Sequence, residues 1–264
     1  LFDELEPEWV EVDTKRLRVE RVREFGGPWL GQKMLEMLGI PELLDSLMDR
    51  GREEIEWRVM AQVLLLAHLC DPSSELHVAE HVYEKTALVD LLGVPCDKVN
   101  DDRLYRALDM LLPHKPELEK HLKERMGELF ELKYDILLYD ITSTYFECEC
   151  ERNDQARRGY SRDHRPDCKQ VCIGLVVSKT GMPLGYEIFD GNRADVSTVE
   201  EIVKSIEEKY GASDRIWVMD RGIPTEAVLE QMRQSDPPIF YLVGTPKGRL
   251  TRYEKSLIDQ PWHR

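Results

Sequence analysis

Two aspartates sit where strand-like runs leave little room for charge. Tyr134–Glu147 carries an apolar run, Ile136, Leu137, Leu138 and Ile141, extended by β-branched and aromatic residues, and Asp140 lies inside it. A core carboxylate must be paired, hydrogen-bonded or bound to a metal, because an unpaired buried charge is too costly. A second run, Arg215–Asp220, ends in Asp220. Carboxylates on two core strands can converge at one edge of a sheet. There their hard oxygen donors suit a divalent cation and phosphoryl-transfer chemistry. The competing reading is structural: each acid caps a nearby helix or pairs with Arg221.

Between the two runs lies a polar loop, Gly159-Tyr-Ser-Arg-Asp-His-Arg-Pro-Asp167, followed by Cys168-Lys169-Gln170. Arg157, Arg158, Arg162, Arg165 and Lys169 make it the clearest basic cluster in the chain, and Arg193, Lys204 and Arg221 can widen the basic face. Guanidinium forks match phosphate oxygens. The alternative is a solvated loop neutralised by its own acids, Asp154, Asp163 and Asp167. Asp190-Gly191-Asn192-Arg193-Ala194-Asp195 reads as a turn, with Asp195 as a cap or supporting acid.

The other reactive residues are less ordered. Cys148-x-Cys150 and Cys168-x3-Cys172 lack the C-x2-C spacing of zinc knuckles, so zinc is not expected. Six cysteines in a chain of this length show no disulfide framework, and reduced thiols are the default. His77 and His81 stand at i and i+4, but without the acid of an H-E-x-x-H motif they suit a solvated helix face.

Composition sets the limits. The 264 residues are 42% hydrophobic and 33% charged, enough apolar content for a core and too much for disorder. No apolar run reaches membrane-spanning length and no secretory signal is visible. A formal net charge of −15 opposes nucleic-acid binding when taken alone, because phosphate contacts need cations. It leaves local basic clusters open, since net charge bears on steering and solubility rather than on fold.

The elements that position these residues follow from periodicity. Residues 9–24 alternate loosely and predict a hairpin, within an N-terminal arm over 1–27. From 28 to 132 the spacing is helical, with segments at 29–38, 43–48, 55–70, 73–83, 100–111 and 116–129. At Lys133 the period becomes strand-like, which places a domain boundary there. Strands are expected at 134–147, 169–178, 183–190, 215–220 and 238–244, and helices at 197–209 and 225–234. The helix expected at 197–209 starts with a capping box, Ser197-Thr-Val-Glu200. The result is an α/β chain (α+β overall): a helical domain, then a mixed sheet flanked by helices in the order of a ribonuclease-H-like core.

The motifs also occur in a familiar succession. Asp140-Ile-Thr-Ser-Thr-Tyr-Phe-Glu147, the Gly159–Asp167 loop, Gly185–Asn192 leading to Asp195 and Thr198, and Val218-Met-Asp-Arg-Gly222 follow one another in order, with Leu104-Tyr-Arg-Ala-Leu-Asp109 upstream. In combination they resemble the insertion-sequence DDE transposases of the IS-four superfamily, over most of the chain from about residue 9.

That resemblance implies a ribonuclease-H-like core using Mg2+ or Mn2+ to cleave and join double-stranded DNA at transposon ends, with Asp140 and Asp220 as the first two catalytic, metal-holding acids. The family's third acid is a glutamate on a later helix, usually after an inserted β-rich segment. No such glutamate is recognisable here, because Tyr253-Glu-Lys255 lacks the spacing. A catalytic domain incomplete at its C-terminus is therefore expected. A homodimer is a candidate state of the full-length enzyme, and the bacterial or archaeal cytoplasm is the expected compartment. Two further readings remain: a haloacid-dehalogenase-type phosphatase, which would need Asp-x-Asp where position 142 is Thr and a parallel sheet, and a non-catalytic DNA-binding remnant.

Overall fold

The computed structural model describes residue 11 and residues 13–16, 18–161, 163–193, 198–210, 215–220, 225–244 and 258. The chain forms two compact units, Leu1–Lys115 and Pro116–Arg264.

The first unit is helical: α1 (Gly26–Met37), α2 (Ile40–Leu47), α3 (Trp57–Cys70), α4 (Glu75–His77), α5 (Leu88–Leu92) and α6 (Asp101–Leu111), with α4 running into a π-helical turn over Val78–Val82. The central α3 buries Met60, Val63, Leu64, Leu66 and Ala67 against Val78, Tyr83, Leu88, Leu104 and Ala107. Its near-continuous apolar sequence is explained by contacts around most of its circumference. Polar side chains start two of its neighbours. Ser74 Oγ accepts from the His77 N–H (3.3 Å), and Asn100 Oδ1 accepts from the Arg103 N–H (2.9 Å). The hairpin expected at 9–24 does not form among the described residues. Val19 and Val22 are exposed, Asp13–Arg16 makes a turn, and only Glu24 pairs, in an isolated bridge to Thr86. The loose alternation there meets no partner strand.

The second unit holds α7 (Lys115–Phe130), β1 (Ile136–Phe146), β2 (Lys169–Ser178), β3 (Pro183–Asp190), α8 (Val199–Tyr210), β4 (Ile216–Met219), α9 (Glu226–Gln234) and β5 (Phe240–Val243). The five strands form one sheet in the order β3-β2-β1-β4-β5. β1–β2 and β2–β3 are antiparallel, whereas β1–β4 and β4–β5 are parallel. The antiparallel pairs are joined directly, β1 to β2 by the loop over 147–168 and β2 to β3 by a short turn. Gly181, at φ 85°, supplies the left-handed residue between β2 and β3. The parallel pairs require helical crossovers, which α8 and α9 provide. This is the ribonuclease-H-like arrangement.

α7 groups with this sheet rather than with the preceding helices, so the division falls before it and not at Lys133. The cause is a half-buried ion cluster. Lys209 Nζ on α8 bonds Glu119 Oε2 on α7 (2.8 Å) and Glu187 Oε1 on β3 (2.9 Å). Lys123 also lies over the Tyr210 ring, 4.7 Å from its centroid. Helical periodicity marks α7 as a helix but carries no mark of which core it joins.

One face of the sheet is covered. Leu137, Tyr139, Ile141, Trp217 and Met219 pack against Val199, Ile202, Val203 and Ile206 of α8 and Val228, Leu229 and Met232 of α9. On the opposite face Leu138, Leu175, Ile188, Ile216 and Leu242 are exposed. No helix among the described residues is long and apolar enough to cross a membrane.

Candidate active site

β1 alternates strictly between buried 137, 139 and 141 and exposed 138, 140 and 142. β4 does the same around buried Trp217 and Met219. Tyr139 and Met219 are register partners in the parallel ladder, and both face the helix-covered core. Asp140 and Asp220 are the next residues of their strands and both are exposed. Since side chains alternate across a strand, the two carboxylates share the open face. Neighbouring backbones lie roughly 5 Å apart there. The ladder ends at this level, while β1 continues alone with β2 for six more residues. The two acids thus stand at a step, at the carboxyl ends of paired parallel strands, where open α/β sheets bind ligands.

Asp140 is exposed rather than buried, which corrects the view of it as a core charge demanding neutralisation. Among the described residues its carboxylate makes no hydrogen bond or ion pair. The residue beneath it is fixed firmly: the Tyr139 hydroxyl donates to, or accepts from, Thr198 Oγ1 at 2.9 Å, joining β1 to the start of α8. Gly174 on β2 leaves space for that ring, since a Cβ there would lie 3.0 Å from Tyr139 and from Phe189. Neither Tyr139 nor Gly174 is marked by a sequence motif, and Thr198 is marked only as a motif and capping-box residue. The available signal was a tyrosine in a core strand, whose hydroxyl needs a partner.

Two oxygen-donor side chains at one level fit a hard divalent cation and leave most of its coordination to water and substrate. No set of three His, Cys, Asp or Glu residues arranged to hold a metal occurs among the described residues. Glu254, in Tyr253-Glu-Lys255, lies outside them, as do Asp195, Arg162, Arg221 and the Ser197 of the expected capping box.

Residues 132–257 match the family described as the transposase DDE domain. Over this stretch the chain is similar to a transposase DDE domain. Among solved structures, the chain is similar to a piggyBac transposase synaptic complex with hairpin DNA, at 12% identity and TM-score 0.39, covering 90% of this chain and 54% of that one. It is also similar to a Mos1 transposase paired-end complex with the left transposon end, at 9% identity and TM-score 0.29, covering 81% of this chain and 75% of that one. The chain thus spans about half the length of the piggyBac protein. No curated protein matches it. The assignment rests on the family match.

In the second unit the basic loop stands apart from the acids. It joins β1 and β2 beyond the Phe146–Lys169 pair, six residues past Asp140 and so roughly 20 Å along the strand. Arg157, Arg158, Arg165 and Lys169 are brought together there, but most are already engaged. Arg157 pairs with Asp190 (3.5 Å), Arg158 with Glu149 (3.7 Å), and Arg165 with Asp167 (2.9 Å) and Glu147 (3.9 Å). Arg165 also covers the Tyr145 ring, 5.0 Å from its centroid. Its hydrogen bonds hold the Asp167 carboxyl down at about 2 and raise its own guanidinium further. Arg193 pairs instead with Glu201 on α8. Lys169 makes no ion pair among the described residues.

A clamp unread in the sequence fixes the loop. Buried Gln170 donates from Nε2 to the carbonyls of Gly191 (2.8 Å) and Tyr160 (3.0 Å). Arg157 and Gln170 exchange backbone hydrogen bonds at 3.0 Å. A Cβ on Gly191 would run into the carbonyl oxygens of Gln170 and Arg157, and one on Gly159 into the Gly191 carbonyl. The Gly159 and Gly191 motifs are therefore two sides of one backbone crossing.

Proposed function

We propose that this chain supplies the Asp140/Asp220 part of an insertion-sequence transposase of the IS-four superfamily, which cleaves and joins DNA strands at the ends of its element. The observation that carries this reading is the shared position of the two aspartates on one face, at the end of the β1–β4 ladder, within a transposase DDE domain. A Mg2+ or Mn2+ ion held there would act as a Lewis acid on a phosphodiester oxygen and activate water or a 3′-hydroxyl.

The chain's own residues divide the remaining work. Asp140 and Asp220 present four carboxylate oxygens at an open edge that a duplex can approach. Tyr139 and Met219, locked in the core beneath, hold the two backbones at one level. Arg157, Arg158, Arg165 and Lys169 would take up phosphates away from the reacting one, exchanging internal carboxylates for DNA oxygens. Arg162, Arg193 and Arg221 complete the proposed DNA-contacting set. That exchange reconciles DNA as a partner with a net charge of −15, and it makes binding steeply salt-dependent. A homodimer of the full-length enzyme and a cytoplasmic, nucleoid-associated location belong to the same proposal. The phosphatase reading loses its support, because three of the five strands are joined antiparallel.

The test is Mn2+ binding to this chain followed by water-proton relaxation, with nicking of terminal-repeat DNA measured in a full-length relative that carries the equivalent substitutions. Asp140→Asn and Asp220→Asn should each weaken cation binding and abolish nicking. Unchanged Mn2+ binding in the double variant would overturn the assignment.

A further inference from the structure

Beyond the end of β1 the chain bends at Glu147-Cys148 and turns back at Cys150, whose φ is 43°. A left-handed backbone is unusual for cysteine. Here it folds the Cys148-x-Cys150 segment so that the two Sγ atoms lie 2.9 Å apart, in hydrogen-bond contact. Cys148 is exposed and Cys150 half-buried. The other thiols are held differently: Cys168 Sγ takes a hydrogen bond from Arg165 (2.9 Å), and Cys172 is buried. The turn itself is held by Asn153 N–H donating to the Cys150 carbonyl (3.1 Å), and its acids pair with the basic loop through Arg165–Glu147 and Arg158–Glu149.

We infer that Cys148 and Cys150 form an oxidisable dithiol, a modification site that hydroperoxides convert to an intrachain disulfide. Geometry carries this: the backbone turn that a bridge between residues two apart requires already exists in the reduced chain, so closing it needs little further ordering. Reactivity agrees. The hydrogen bond from Cys150 holds the Cys148 thiol below its usual range, which increases the thiolate fraction at the solvent-facing sulfur.

The reaction balances in two steps. The Cys148 thiolate attacks a peroxide oxygen, the O–O bond breaks, and the alkoxide or hydroxide leaves with a proton, giving a sulfenic acid on Cys148. Cys150 sulfur then attacks that sulfur. The S–O bond breaks, and hydroxide leaves as water with the Cys150 proton. The net change is two thiols and one hydroperoxide to one disulfide, one alcohol (or water) and one water. A ring this small is strained and returns readily to thiols in a reducing buffer.

The test treats the 264-residue chain with hydrogen peroxide at neutral pH, blocks free thiols with N-ethylmaleimide, and weighs the peptide containing residues 148–150. The expected peptide carries no maleimide, is lighter by two hydrogens, and regains both labels after dithiothreitol. Cys150→Ser should stop the bridge and leave a sulfenic acid on Cys148 that dimedone captures, whereas Cys168→Ser should leave the bridge intact. Full double labelling after peroxide, or a bridge from either residue to Cys168, would overturn the inference.

Discussion

Asp140 and Asp220 leave neighbouring parallel strands at the same level, each one residue past the buried Tyr139–Met219 pair. Residues distant in sequence become adjacent through α8 and the β1–β4 ladder. Because both side chains face away from the core, replacing them leaves packing untouched. Asp140→Asn and Asp220→Asn are therefore expected to cut cation-dependent DNA cleavage by the full-length enzyme at least about 100-fold while leaving the chain folded. Cleavage kinetics paired with thermal melts check this, and a large drop in melting temperature would point to a structural role instead.

Gly191→Ala should act in the opposite way. Its Cβ would meet backbone oxygens of Gln170 and Arg157, which cannot swing aside as a side chain can. The expected cost is about 2–3 kcal/mol of overpacking. Urea unfolding followed by the fluorescence of buried Trp217, in a background with the other tryptophans replaced by Phe, reads the second unit, and a loss far below that figure would refute the backbone crossing.

The Lys209 cluster gives an alkaline signature. Burial lowers the Lys209 pKa, but the hydrogen bonds and charges of Glu119 and Glu187 outweigh it, and the net shift is upward. A raised folded-state value means the contribution is complete below the ordinary 10.5 and disappears as pH climbs through the folded value. Lys209→Ala, which removes the cation beside a Glu119 side chain only 10% exposed, should cost about 3 kcal/mol. It should also flatten the stability profile above pH 10.5. Denaturant melts across that range, for wild type and variant, decide the matter.

Arg165–Asp167 gives the acidic counterpart. Asp167 is held at about 2 against an ordinary 3.8, so the pair's contribution is present above that ordinary value and is lost as pH falls through the folded one. Both side chains are largely solvent-facing, so the expected change is local. Amide exchange in the 158–168 loop should rise at low pH before the β1–β2 amides respond, and Asp167→Asn should bring the same loosening at neutral pH.

The sequence showed much of the sheet because its signals are local. β2 and β3 run over the expected residues, since alternating apolar positions meet a glycine turn at Lys179-Thr180-Gly181-Met182, and Thr225 starts α9 through a side-chain cap. The placement of Asp140 and Asp220 on neighbouring strands was legible as two acids in two strand-like apolar runs. What escaped notice depends on long-range contacts. Glu119 binds Lys209 across most of the second unit, so α7 looked like the last of the preceding helices. Gln170 looked like an ordinary strand residue until its amide was seen to hold two carbonyls from separate segments. The loop arginines read as a basic surface, because their partners Asp190, Glu149 and Glu147 come near only once the chain has folded.

The strict alternation of β1 makes parity the guardian of this chemistry. One extra residue between Leu137 and Asp140 would swing the carboxylate beneath the sheet, among Trp217 and Ile202, and bring an apolar neighbour out in its place. Two extra residues would restore the side but carry the acid past the level of Asp220. Length changes in this short span are thus penalised twice, by handedness of face and by height.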